Sequence, residues 1–297
     1  MNESVPTAPQ SSPTQPAVPA EEAPSRPGPA LHVLILLGPA VALLLANLVI
    51  AGVMQALLPA DPDAPAWILT VIVVGQSALV CALVLLFCTL LLRVQGLRLR
   101  DAGLRWTRRS PWSLLAGIGI GAVVVLGVGL PLTWAGVLRP SEDFGLPWWG
   151  LVIAGFAQAL LLQGFPEELL FRGYQMTALR LRPTAALFIS AGIFGAIHLA
   201  SSGGQQNLLE RLLYLAMPFG FAVAGGALMI LLDSLWAAVG VHSGLHLGSL
   251  LGLFVGLGYG PALWVGCGLM WTVLGVVLLV VAKRQGKLDG VWTGPTR

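Results

Sequence analysis

Six ionisable side chains sit inside long apolar runs of this 297-residue chain: Glu167, Glu168, Arg172, His198, His242 and His246. Asp233 stands at the edge of another run, and His32 at the edge of the first. A charge at the middle of a bilayer costs about 2.5–3.5 kcal/mol on insertion scales, so such residues are functional candidates by default. In the run Pro166-Glu167-Glu168-Leu169-Leu170-Phe171-Arg172-Gly173, Glu168 and Arg172 are four apart and share a helix face, with the glutamate on the favourable N-terminal side. That pair would neutralise two buried charges and serve as structural support. Glu167 lies five residues from Arg172, roughly 140° around a helix, and is left without an in-helix partner. A carboxylate so placed is free to work on a water molecule.

His198 closes the stretch Phe194-Gly195-Ala196-Ile197-His198, and His242 and His246 are four apart, hence on one helix face. Neutral imidazoles suit zinc, so His198, His242 and His246 form a candidate metal set, with a carboxylate nearby to polarise water. A plainer reading makes Glu167, Glu168 and Arg172 one buried ionic network that fixes helix packing. Pro166 removes a backbone bond and frees the Leu162 carbonyl. It also starts a new helical segment in which Glu167 sits near the positive end of the dipole. A break of this kind is tolerated in lipid where it lines a wet cavity.

The elements that must position these residues follow from composition. Hydrophobic residues make up 56% of the chain and charged residues only 10%, well under the roughly one quarter that a soluble surface requires. Eight apolar segments, near 31–58, 66–93, 111–138, 147–180, 183–200, 210–232, 235–257 and 261–283, each approach the ~20 residues needed to cross a bilayer. The expected fold is an all-α polytopic membrane bundle of about eight transmembrane helices over 31–283. A Pro/Ala/Ser-rich tail over 1–30 reads as disordered, and 284–297 as a short basic tail. The partners implied are lipid and a membrane-bound protein or peptide, with no nucleic acid: the arginines crowd connections rather than an amphipathic face.

Arg93, Arg98, Arg100, Arg105, Arg108 and Arg109 follow the second segment, Arg180 and Arg182 the fourth, and Lys283, Arg284 and Lys287 the eighth. All fall on one side. The positive-inside rule makes that side cytoplasmic, with both termini there, and a bacterial plasma membrane is the expected location. Asp61, Asp63, Glu142, Asp143 and Glu210 lie in the opposite connections. Trp148, Trp149, Trp236 and Trp264 fall near segment ends, where an interfacial belt is expected. Gly117 and Gly121 form a GxxxG pair that reads as close packing within the bundle rather than a dimer face. Ser201 to Asn207 reads as an exposed loop, and Asp233-Ser234 as a helix N-cap. Cys81, Cys88 and Cys267 sit in apolar runs without metal or disulfide spacing. One conflict stands out. At ~1.5 Å per residue Glu167 and His198 lie ~20 Å from the basic side, but His242 only ~10 Å. They meet only if the link around Asp233 is sunk into the bundle or the helices tilt.

The ordered set resembles the CPBP family of intramembrane proteases, which includes CAAX prenyl endopeptidases of the Rce1 type and bacteriocin-processing and immunity (Abi) proteins. Its first motif, a glutamate pair separated by three residues from an arginine, matches Glu167, Glu168 and Arg172. The second matches Phe194 and His198, and the third matches His242 but meets His246 where asparagine or aspartate is usual. The match covers about 147–257. The resemblance implies hydrolysis of peptide bonds, with Glu167 activating the water and His198 and His242, assisted by His246, binding a metal such as zinc or stabilising the oxyanion. The alternative is a non-enzymatic immunity or scaffold factor, or a transporter, built on the same buried charges.

Overall fold

The computed structural model describes residues 28–57, 65–141, 145–201 and 203–296. Most of the N-terminal tail, and Asp61, Asp63, Glu142 and Asp143, lie outside the described residues. The described chain is helical: α1 Pro29–Leu57, α2 Ala66–Val94, α3 Ser110–Trp134, α4 Trp148–Leu179, α5 Pro183–Ile197, α6 Leu208–Tyr214, α7 Ala216–Leu232, α8 Leu235–Leu253 and α9 Pro261–Arg284. Among these residues the extended pairing is a single isolated bridge, Arg139 with Tyr259.

Seven helical stretches are long and apolar enough to cross a membrane, with α6 and α7 together forming one of them. The eighth expected span is α8, which is not among the seven because two histidines, two serines and four glycines dilute its apolar residues. It occupies the centre instead. Fourteen of its nineteen residues are buried, so its environment is protein and its side chains are free to be polar.

Packing of α8 against α3 explains the glycines. A methyl group on Gly117 or Gly121 would collide with the carbonyl oxygens of Ala237 and Val241 on α8. One on Gly240 or Gly244 would strike Leu114 and Ile118 of α3 in return. The GxxxG pair is therefore half of a reciprocal seam inside the bundle, which lets two backbones touch. A second seam joins α7 to α9, where Gly220 and Gly268 abut each other's helix.

Helix α1 is fastened to α4 by a side chain that replaces a missing backbone donor. Pro39 has no N–H for the carbonyl of Ile35. Nε2 of Gln175 donates to that carbonyl at 3.3 Å and to Leu36 at 2.9 Å.

At the end of the bundle carrying the arginine-rich links, residues 285–296 are packed rather than trailing. The Trp292 amide donates to the Leu181 carbonyl at 2.8 Å and its side chain is buried. Pro295 covers Gly103, and the Thr296 amide and hydroxyl both donate to the Asp233 carboxylate. This strap covers the α7–α8 turn, where Ser234 and Leu235 are 1% and 0% exposed, and α8 does meet α4 through the Glu168–His242 contact. Ser234 takes the N-cap position, but its hydroxyl makes no capping bond. Asp233, with φ of 55°, instead closes α7 in the left-handed region.

At the opposite end, Arg139 pairs with Glu210 at 3.0 Å and lies over the Tyr259 ring, tying the α3–α4 link to α6 and to the α8–α9 link. The 203–207 stretch is partly packed, with Gly203 against Tyr214 and Gly204 against Tyr259, and Asn207 caps α6 by accepting from the Glu210 amide. Trp148 is exposed as a belt residue would be, but Trp264 is 3% exposed and belongs to the core.

Gly119 faces open space one position from the seam. Gly121→Ala is expected to destabilise the detergent-solubilised protein by about 1–3 kcal/mol through overpacking, while Gly119→Ala leaves it unchanged or slightly more stable. Thermal unfolding of the two variants side by side measures the difference.

Candidate active site

Helix α4 is not uniform. Seven residues, Gln158–Gly164, are wound as a π-helix, Phe165–Glu168 return to α-geometry, and Leu169–Gln175 are again π-helical. Pro166 is thus accommodated in a continuous helix, the wide turns on either side absorbing its missing bond. Such bulges in α-helices are common at functional sites. Gly164 lets the Ser243 side chain of α8 press against this backbone, where any Cβ would collide. The Ser190 hydroxyl holds the second π-segment by donating to the Phe171 carbonyl at 3.1 Å.

Glu168 and Arg172 form the expected pair, Nη1 to Oε1 at 3.1 Å, at 1% and 0% side-chain exposure. The same Oε1 accepts from Nδ1 of His242 at 3.0 Å. One carboxylate oxygen therefore links α4 internally and to α8, a role for Glu168 beyond pairing with arginine that its spacing could not reveal. Glu167, 9% exposed, makes neither an ion pair nor a hydrogen bond among the described residues, and its Oε2 is buried without a partner. Oε2 of Glu168 and all three guanidinium nitrogens of Arg172 also lack a hydrogen bond of good geometry. A dry cluster with this many orphaned polar atoms is costly, and the ordinary remedy is buried water bridging them.

Phe194 is the hub of the aromatic wall. Its ring lies 4.5 Å from the Arg172 guanidinium carbon, 4.5 Å from the centre of the His198 ring and 6.0 Å from that of His242. Its carbonyl accepts from Nδ1 of His198 at 2.7 Å. His198 ends α5 and opens a short 3₁₀ turn, His198–Ala200. The rings of His242 and His246 lie 5.2 Å apart, one turn from each other on α8, as their spacing predicts. Phe221 of α7 covers His242 at 4.5 Å between ring centres. Tyr214, at the end of α6, stands 6.4 Å from His198 and edge-on to Trp264. The sequence does not single out Tyr214 or Phe221, and it marks Trp264 only as an interfacial residue. Phe194 was visible only as part of a spacing, four residues before His198.

Because a carbonyl only accepts, His198 carries its proton on Nδ1, and an ionised Glu168 fixes the same tautomer on His242. In their neutral forms both rings present a lone pair at Nε2. A ligating histidine also looks like this, but the ligand count falls short. Among the described residues no group of three His, Cys, Asp or Glu side chains is placed to hold a metal ion. His198, His242 and His246 line one wall from two helices without gathering around a common point, so the residues present do not fit a resident zinc.

Breaking the buried pair should be expensive. Arg172→Met is expected to cost about 3–5 kcal/mol by leaving carboxylates uncompensated, and adding Glu168→Gln should restore part of it. A double-mutant cycle on unfolding of the purified protein reads this directly.

Comparison with the curated proteins and with solved structures yields no match. The segment holding every residue of the cluster, from Glu167 to His246, does match a family model. With seven helices able to span a bilayer among the described residues, this is an integral, multi-pass membrane protein whose residues 147–248 match the family model of type II CAAX prenyl endopeptidase Rce1-like proteins, a family that suggests a membrane CAAX protease.

Proposed function

We propose that the protein is an intramembrane endopeptidase that hydrolyses peptide bonds of membrane-associated substrates with Glu167 as the base. The observation that carries this reading is the division between the two glutamates. Glu168 is engaged by Arg172 and His242, while the neighbouring carboxylate, buried in the same helix, has no partner among the described residues. Arg172 can neutralise only one of the two. A carboxylate left over in a low-dielectric site is a strong base toward water.

In the mechanism we infer, Glu167 takes a proton from a water molecule as that water attacks the scissile carbonyl. The lone pair at Nε2 of His198 accepts the water's other hydrogen and aims it. Charge developing on the carbonyl oxygen needs donors. His246, which makes no hydrogen bond among the described residues, offers an N–H. Glu167 then delivers its proton to the leaving amine, which closes the proton balance. No step calls for a metal. With both termini on the cytoplasmic side, the site lies nearer the opposite face, beneath the Arg139–Glu210 closure.

Glu167→Gln keeps the shape and removes the base. It is expected to lower cleavage of a membrane peptide substrate by about 10²–10⁴-fold, with insertion and unfolding temperature preserved. Cleavage that survives this change would point instead to the non-enzymatic reading. A second measurement addresses cofactors: protein dialysed against a chelator should retain its activity, and stoichiometric zinc lost on His198→Ala would refute the metal-free scheme.

A further inference from the structure

A groove of about 570 Å³ runs between α1 and α2, away from the glutamate–histidine cluster, and opens toward the lipid. Its walls are apolar, Ile50 and Met54 from α1 and Val73 from α2 among them, except for two amides that face it, Asn47 and Gln76. Asn47 is exposed, and its Nδ2 bonds only the Leu43 carbonyl of its own helix at 2.8 Å. Gln76 is half-buried, and its side chain makes no hydrogen bond among the described residues.

Depth makes these amides expensive. Asn47 stands ten residues before the end of α1 at Leu57, and Gln76 ten residues after the start of α2 at Ala66. The helices are 29 residues each, about 43 Å at the helical rise. Both amides are therefore level with each other, ~15 Å in from the helix ends and ~6 Å from the midplane. That is inside the hydrocarbon layer, where lipid headgroups and water do not reach. An amide there gains from a partner that is itself a membrane-embedded polar group.

We propose that the α1–α2 groove is a dimer interface and that its occupant is a second copy of this chain. Two arguments favour a copy over another membrane protein. An amide both donates and accepts, so the Asn47 and Gln76 pair is its own complement. Two copies inserted with the same orientation also bring these amides to the same depth automatically, which is what a two-fold, isologous contact requires. The α1 face beside the groove is smooth and aliphatic, with Leu44 and Leu48 exposed, and supplies the apolar packing around the bonds. This interface lies outside the segment that resembles the protease family, so it stands whether or not the chain cleaves peptides.

The test uses full-length protein in phosphatidylcholine–phosphatidylglycerol bilayers at low protein density, with subunits counted by single-molecule photobleaching. Wild-type protein should give a dimer population that grows with protein density. Asn47→Leu with Gln76→Leu should lower the association constant about ten-fold or more, while Asn47→Gln retains it. Leucine suits a lipid-facing position, so an unchanged unfolding temperature in the double variant shows that folding is intact. Ala51→Cys, in a background with Cys81, Cys88 and Cys267 replaced by serine, should cross-link two copies, since Ala51 lines the groove. A monomer at every density, or a dimer indifferent to the double substitution, overturns the proposal and leaves the groove to lipid or to a different protein.

Discussion

One oxygen atom organises this molecule. Oε1 of Glu168 receives the Arg172 guanidinium from its own helix and the His242 imidazole from another. Each contact makes the other affordable in a medium that punishes unpaired charge. Arg172 alone would leave the histidine loosely held, and His242 alone would leave a carboxylate without a counter-charge. With both in place, the tautomer of His242 is set, α4 and α8 are joined at one depth, and Glu167 is the carboxylate left unengaged. The aromatic wall follows from the same point, because Phe194 can lie under the guanidinium only where Glu168 holds it.

A shared contact of this kind requires α8 to reach the middle of the bundle, and two features unrelated to chemistry allow it. The glycine seam brings the α3 and α8 backbones into contact, which removes a layer of side chains from between them. The strap formed by 285–296 covers the α7–α8 turn and buries the start of α8, the N-cap Ser234 and Leu235 among them. Neither the seam nor the strap touches the glutamates, yet each sets the position of His242. Substitutions far from the cluster can therefore act on it through helix depth alone.

How much of this is legible in the sequence depends on the range of the interaction. Contacts within one helix are readable: the Glu168–Arg172 pair and the shared face of His242 and His246 both follow from a spacing of four. Helix number and extent follow from apolar run length, and α8 falls within the expected 235–257 run. Its glycines and histidines lower its hydropathy because its neighbours are protein, not lipid. Contacts between distant segments are not readable. The bond from Glu168 to His242 crosses 74 positions. The depth of α8 is not readable either, because counting residues from a turn assumes that the turn lies at the surface, and here Ser234 and Leu235 are buried. The π-turns on both sides of Pro166 were equally hidden, since proline announces a break in the ladder without specifying how the chain will close it.

The tautomers give the departure at His246 a physical meaning. An amide at that position would offer an N–H donor whatever its neighbours do. A neutral imidazole offers one N–H, on whichever nitrogen its surroundings leave protonated. Two of the three histidines have that choice made for them, His198 by the Phe194 carbonyl and His242 by Glu168. Both then turn an acceptor toward the site. His246 has no such anchor among the described residues, and it faces the one ring next to it at 5.2 Å. It is the member of the set whose N–H is not fixed by a hydrogen bond among the described residues. An imidazole in place of an amide thus keeps an N–H donor but makes its direction depend on the tautomer, in a wall where the other two rings are already committed.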